Sequence, residues 1–328
     1  MSHDIFRWLN CIRFPRLLSL ASPLPVDLNK SARIIPIQTT PGADLDYREY
    51  AVPASLRRHI RCLWRLRDAS PPPATQTIYP DGHCELIVHL GQPMHACHPQ
   101  RGWQPQGHAL FAAQHRTAIQ LTAHGPLDCL GVRLQPAASA AVAGKALRGL
   151  RDEIIDLTTL DTEFALPFSL AVAQAAATEN FEPLWSLLEL RFLAYAIDAR
   201  IESAAQSLQT QQGRNRVEPM ASAAAMSLRA FQIRFLECVG LSPKEFARVQ
   251  RLQATLHMLD NGAASLAQVA ANSGFADQAH ATRELHRLTG LTPARLLTAL
   301  RTNRCGDRTI QLAAAFVRGY GSGSAHPA

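Results

Sequence analysis

The chain has no hydrophobic run near the roughly 20 residues that a membrane helix needs, so no membrane partner is expected. Its seven cysteines (Cys11, Cys62, Cys84, Cys97, Cys129, Cys238 and Cys305) are odd in number, scattered, and never spaced as CxxC. That argues against a disulfide scaffold or a zinc ribbon and fits a reducing cytoplasm. There is no Gly-x-Ser-x-Gly elbow, phosphate loop or dinucleotide fingerprint. The expectation is therefore no enzyme, with no catalytic residue, cofactor or resident metal. Near the N-terminus, Arg13 and Arg16 crowd a weak apolar patch at Leu17–Ala21, which disfavours a secretory leader.

What is present describes a globular protein of about two domains: 328 residues, 47% hydrophobic and 18% charged. The net charge of +7 permits an acidic partner such as nucleic acid without proving one. Residues 1–43, rich in proline, read as a disordered extension. Residues 44–160 carry short apolar runs between dense turn signals, notably Glu85–Leu90, Ala118–Leu121 and Leu127–Leu134. This is the texture of a β-rich domain, here expected to sense a ligand or mediate dimerisation. One helix is expected inside it, from Ser55 to Leu66. Residues 161–212 read as a helical linker, with Leu184, Leu187, Leu188 and Ile197 at helical spacing. Residues 200–304 read as an all-helical DNA-binding domain, and 305–328 as a flexible glycine- and serine-rich tail.

Within the helical part a stretch of sequence occurs twice, fifty residues apart. Gly240-Leu241-Ser242-Pro243 returns as Gly290-Leu291-Thr292-Pro293, Phe235 aligns with Leu285, and Ser227 with Asp277. In the second copy, Ser265 can cap a helix over Leu266–Ala271, and Asn272-Ser273-Gly274-Phe275 supplies a turn. Asp277 can then cap a helix over Gln278–Thr289. In the first copy, Val217–Ala224 would support a helix over Leu228–Val239. Helix, short glycine-containing turn, helix is the helix-turn-helix pattern, whose second helix reads a major groove. Ser242-Pro243-Lys244-Glu245 is a capping box with proline at the first helical position. It would open a long linker helix that ends at Asn261-Gly262.

The exposed face of the second reading helix should carry Gln278, Ala279, Thr282, Arg283, His286 and Arg287. Gln can read adenine and Arg guanine, while Thr and Ala can touch a thymine methyl. The first copy offers Ser227, Arg229, Gln232 and Arg234, and the linker helix offers Arg248 and Arg251 as phosphate contacts. Between Arg200 and Arg304 there are 13 basic and 7 acidic residues, so most of the net charge lies in this region.

These residues resemble the signature of AraC-type (AraC/XylS) transcriptional regulators. The likeness rests on Gly274-Phe275-Ala276-Asp277-Gln278-Ala279-His280, Arg283-Glu284-Leu285 and the two Gly-Leu-Ser/Thr-Pro elements. It departs at Ile233, where the family usually has Arg, and at Ala281, where it has a bulky apolar residue. The second departure predicts an underpacked second unit. A weaker likeness, to the β-rich domain of one subgroup whose ligand is unassigned, rests on Tyr47–Tyr50, Leu63-Trp64, Pro80-Asp81-Gly82 and Gly131–Leu134. The resemblance implies an α+β chain: a cupin- or jelly-roll-like domain, then two helix-turn-helix units. It implies a cytoplasmic, nucleoid-associated regulator, more specifically an activator. Its partners would be double-stranded promoter DNA, RNA polymerase, a small-molecule effector and a second copy of the chain.

In the N-terminal part, Trp64, Glu85, His89 and Trp103 are the candidate lining of an effector pocket. In a strand from His83 to Leu90, His83, Glu85, Ile87 and His89 would share one face. The alternative function is a metal-dependent sensor built on His83, His89, His95, His98 and nearby cysteines, or a methyl-accepting repair regulator using Cys84 or Cys97.

Overall fold

The computed structural model describes residues 34–36, 45–71, 75–260 and 266–304. The predicted extension before residue 34, the tail after 304, the Asn261-Gly262 helix end and the Ser265 cap all lie outside the described residues. Eleven strands are described: β1 (Ile34–Pro36), β2 (Leu45–Tyr50), β3 (Ile60–Asp68), β4 (Gln76–Ile78), β5 (Glu85–His89), β6 (His95–His98), β7 (Gly102–Pro105), β8 (Ala109–Ala112), β9 (Ile119–Thr122), β10 (Leu127–Leu134) and β11 (Ile154–Asp156). They form two antiparallel sheets, one in the order β1-β2-β3-β10-β5-β8-β11 and one in the order β4-β9-β6-β7. The chain is thus a β-rich region followed by helices. β1 pairs with β2, so paired structure begins inside the expected extension.

The expected helix over Ser55–Leu66 is a 3-10 turn at Ala54–Leu56 followed by β3. Ile60, Cys62, Trp64 and Leu66 alternate with arginines at 61, 65 and 67, a period of two that suits a strand. β2 and β10 then pair with both edges of β3 and satisfy its backbone. The strands expected near 85–90, 118–121 and 127–134 are β5, β9 and β10.

The large sheet uses its two faces differently, because successive side chains alternate. On β5, Leu86 and Val88 point into the main core. They pack there with Phe168, Val172, Leu184 and Leu188 of a helical hairpin, Thr162–Thr178 and Glu182–Leu193. Glu85, Ile87 and His89 point the other way, into a cavity between the sheets.

The remaining helices are Ala199–Thr210, a first supporting helix Val217–Ala223, a first reading helix Leu228–Val239, a linker helix Pro243–Asp260, a second supporting helix Leu266–Asn272, a second reading helix Gln278–Thr289 and a closing helix Pro293–Arg304. The capping box forms as its spacing demands. Ser242 N–H donates to Glu245 Oε2 at 2.9 Å, and Glu245 N–H donates to Ser242 Oγ at 3.3 Å. Burial pushes the Glu245 carboxyl up, but the Ser242 bonds and the charges of Arg151 and Arg116 hold it below its ordinary value.

Candidate nucleic-acid interface

Each reading helix is started by a side-chain cap and stopped by a glycine. Ser227 Oγ accepts from Ala230 N–H at 3.3 Å, and Asp277 Oδ1 accepts from His280 N–H at 2.6 Å. Gly240 (φ 89°) and Gly290 (φ 73°) take the left-handed conformation that closes the helices. Phe231 and Phe235 are buried in the first unit, and Leu285 and Leu288 in the second. Ala281 does not leave the second unit hollow. Phe275, from the turn, packs against Ala270 and Ala281. At the matching positions of the first unit the ring sits in the helix, at Phe231, and the turn carries Ala225.

With those faces buried, Gln278, Ala279, Arg283 and His286 are exposed and Thr282 is half-buried on the outer side of the second reading helix. The Thr282 hydroxyl donates back to the Gln278 carbonyl at 2.9 Å, which leaves its methyl outward. On the first reading helix Arg229 is exposed and Gln232 half-buried, flanked by Leu228 and Ile233 at 40% and 45% exposure. Among the described residues no acidic side chain pairs with Arg229 or Arg283.

Other expected contacts are held by the protein itself. Arg234 Nε lies 3.0 Å from Asp198 Oδ2, on the flank of its helix. Bonds from Arg200 and Arg234 hold the Asp198 carboxyl far below its ordinary value, against a smaller upward push from burial. Arg248 Nε pairs with Glu284 Oε2 at 3.3 Å and ties the linker to the second reading helix. Arg251 lies over the Phe275 ring, 5.9 Å from its centre, and burial lowers its pKa. Arg287 turns into the cleft shared with Arg116 and Asp152. Sequence spacing placed these four near the groove, but it could not show which groups fold up beside them.

The β-rich region docks on the back of both units. Gln253 Nε2 of the linker helix donates to the Pro80 carbonyl at 2.6 Å, and within the β-rich region Gln114 Nε2 donates to the Gly82 carbonyl of the same turn, also at 2.6 Å. Gly82 (φ 86°) lies so close to the linker helix that a Cβ would run into the Gln250 amide and crowd the Phe246 ring. Tyr79 enters the core of the second unit beside Leu252, Leu256 and Leu285. The backbone N–H of Ala118 donates to the Leu288 carbonyl at 2.7 Å and satisfies one of the open carbonyls at the end of the reading helix.

Residues 220–299 match the family model of a helix-turn-helix domain. This part of the chain is an AraC-type helix-turn-helix domain. Residues 48–156 match a domain of unknown function, DUF6597. No curated protein matches the sequence. Similar solved structures include ToxT from Vibrio cholerae, at 12% identity and TM-score 0.40 over 72% of this chain and 97% of that one. The DNA-binding domain of AdpA, a global transcriptional factor solved with a target DNA, is 27% identical at TM-score 0.31, over 33% of this chain and 97% of that one. The AraC-like transcriptional activator CuxR is 12% identical at TM-score 0.29, over 66% of this chain and 85% of that one. At these scores the three likenesses carry no argument about function.

In the β-rich region, Trp64, Glu85 and His89 line the cavity, whereas Trp103 stands outside it on β7, 42% exposed. The sequence reading missed Gln76, Asp81 and Arg133 as lining residues. Arg133 is buried, with its Nε 2.7 Å from Glu85 Oε1 and 3.5 Å from Asp81 Oδ2. Burial pulls its pKa down, but the attraction of Glu85 and Asp81 outweighs that and keeps it charged. The available signal was a lone arginine inside the apolar run of β10. The pairing of Arg133 with Glu85 across strands shows its partner.

The alternative function gains no support from a metal cluster or from Cys84. Among the described residues no three metal-binding side chains are grouped. Cys84 is fully buried, and burial pushes its thiol up to about 12, which makes it a poor methyl acceptor. Among the described residues no helix is long and apolar enough to cross a membrane.

Proposed function

We propose that this protein reads promoter DNA with both reading helices, and that its β-rich domain responds to a small effector and adjusts how the helices are presented. The observation that carries the reading is the division of each helix surface. One side is packed, capped and tied to the β-rich domain, while Arg229, Gln278, Ala279, Arg283 and His286 remain exposed. The linker helix of 18 residues is about 27 Å long at 1.5 Å per residue. A rod of that length is suited to holding two reading helices for neighbouring major-groove faces, about 34 Å apart per turn. The second helix carries the richer set of base-reading side chains and is assigned most of the specificity; the first has a positioning share.

The test is selection of bound fragments from genomic DNA, followed by titration of a selected site and a scrambled one against salt. Specific binding that weakens steeply with salt is expected, because phosphate contacts release counterions. Equal affinity for both fragments, or binding indifferent to salt, would refute the reading.

A further inference from the structure

The cavity between the sheets has a chemical bias that restricts its occupant. Its volume is about 100 Å³, and its walls are mostly apolar, with Leu66, Ile78, Ile87, Met94, Leu110 and Ile119 among them. Among these walls stand three buried acceptors that meet no donor.

His83 is the clearest case. It is 6% exposed, and its Nδ1 lies 2.8 Å from the Leu134 carbonyl. A carbonyl can only accept, so Nδ1 carries the proton, and Nε2 is left as a lone-pair acceptor. That Nε2 is buried without a partner. His89 repeats the pattern: Nε2 meets Gln106 Oε1 at 3.1 Å, which makes the buried, unpartnered Nδ1 the acceptor. Gln76 Oε1, on a side chain 1% exposed, is a third buried acceptor without a partner. An unsatisfied buried polar atom costs about 1–3 kcal/mol, so three along one cavity point to a missing donor.

Charge narrows the class further. Arg133, the buried cation of the cavity wall, is engaged by Glu85 and Asp81. An anion would find no uncommitted cation there. An ammonium group would have to compete with Arg133 for both carboxylates, and burying an unpaired charge is prohibitive.

We infer that the cavity is a binding site for a small neutral molecule with a compact apolar body and two or more hydroxyl or N–H donors, held by His83, His89 and Gln76. This rests on the effector role proposed above and gives that effector its chemistry. The site is placed to report its occupancy. Tyr79, Pro80 and Asp81 form part of its wall, and the same turn is bonded through Pro80 to Gln253 of the linker helix.

The test uses the full chain and three probes of six heavy atoms each: butanediol, its ether isomer dimethoxyethane, and butyrate. Butanediol should raise the Tm and perturb the Trp64 fluorescence, whereas the ether, which only accepts, and the anion should do neither. His83→Leu and Gln76→Leu should each weaken butanediol binding about tenfold. Gln76→Leu should keep or raise the Tm of the free protein, since it removes an unsatisfied buried acceptor, whereas His83→Leu should lower it, since it also leaves the Leu134 carbonyl without its donor. Having two variants guards against one that fails to fold. An equal response to the ether or to butyrate, an undiminished response in both variants, or no response to any probe, meaning a cavity that holds water only, would overturn the inference. DNA binding measured without probe is a separate readout. If the diol binds and DNA does not, the DNA-reading proposal fails and the cavity assignment stands.

Discussion

Gln253 reaches from the linker helix to the backbone carbonyl of Pro80, 2.6 Å away and buried, across 173 positions of sequence. One hydrogen bond thus joins the wall of the cavity to the rod between the two reading helices. Gln253→Leu keeps the packing volume but removes the side-chain donor that meets that carbonyl. A loss of about 1–3 kcal/mol in urea unfolding is expected. A midpoint unchanged from wild type would mean that water replaces the bond and that the seam is looser than described.

Arg283 is exposed on the second reading helix, and no acidic side chain among the described residues pairs with it. Arg283→Ala should cost about 1–3 kcal/mol of specific binding and relax preference at one base pair. Gel-shift titration against a selected site and its single-base variants would show this. Undiminished affinity together with undiminished preference would remove Arg283 from the reading face.

Ile233 occupies the matching place on the first reading helix and is 45% exposed. Ile233→Arg would put a cation where the second unit has Arg283. Affinity should rise at low salt, and the slope of log K against log salt should steepen by about 0.9 for one added phosphate contact. A slope equal to that of wild type would place Ile233 away from the DNA.

The buried histidines predict a dependence on acid. Burial lowers His83 and His89 to about 4 from an ordinary 6.5. Between those values the unfolded chain takes up protons that the folded chain refuses. Their contribution to stability is therefore complete above pH 6.5 and is lost as pH falls toward 4, on the order of 3 kcal/mol for each group. Urea midpoints at pH 7.5 and pH 5 should differ in wild type and differ less in His83→Leu. Identical pH dependence in both proteins would show that His83 does not titrate in this window.

The sequence alone determined the features that depend on neighbours along the chain. The fifty-residue repeat, the capping box at Ser242 and Glu245 and the caps at Ser227 and Asp277 are local patterns, and the helices follow them closely. The alternation on β5 was equally readable and put Glu85, Ile87 and His89 on one face. The alternation of β3, with arginines at 61, 65 and 67, is equally local, but the 3-10 turn that precedes it begins the segment with helical backbone.

Only the tertiary structure decided how distant groups share their charges and hydrogen bonds. It gave Arg234 to Asp198 and Arg248 to Glu284, placed Arg251 over Phe275, and left Arg229 and Arg283 outward. It also set Arg133 beside Glu85 and brought Pro80 to Gln253. These partners are far apart in the chain, and an arginine bound for DNA has the same local pattern as one bound for a carboxylate. Which role each plays depends on the acid that folding brings alongside, and that is a property of the packed molecule.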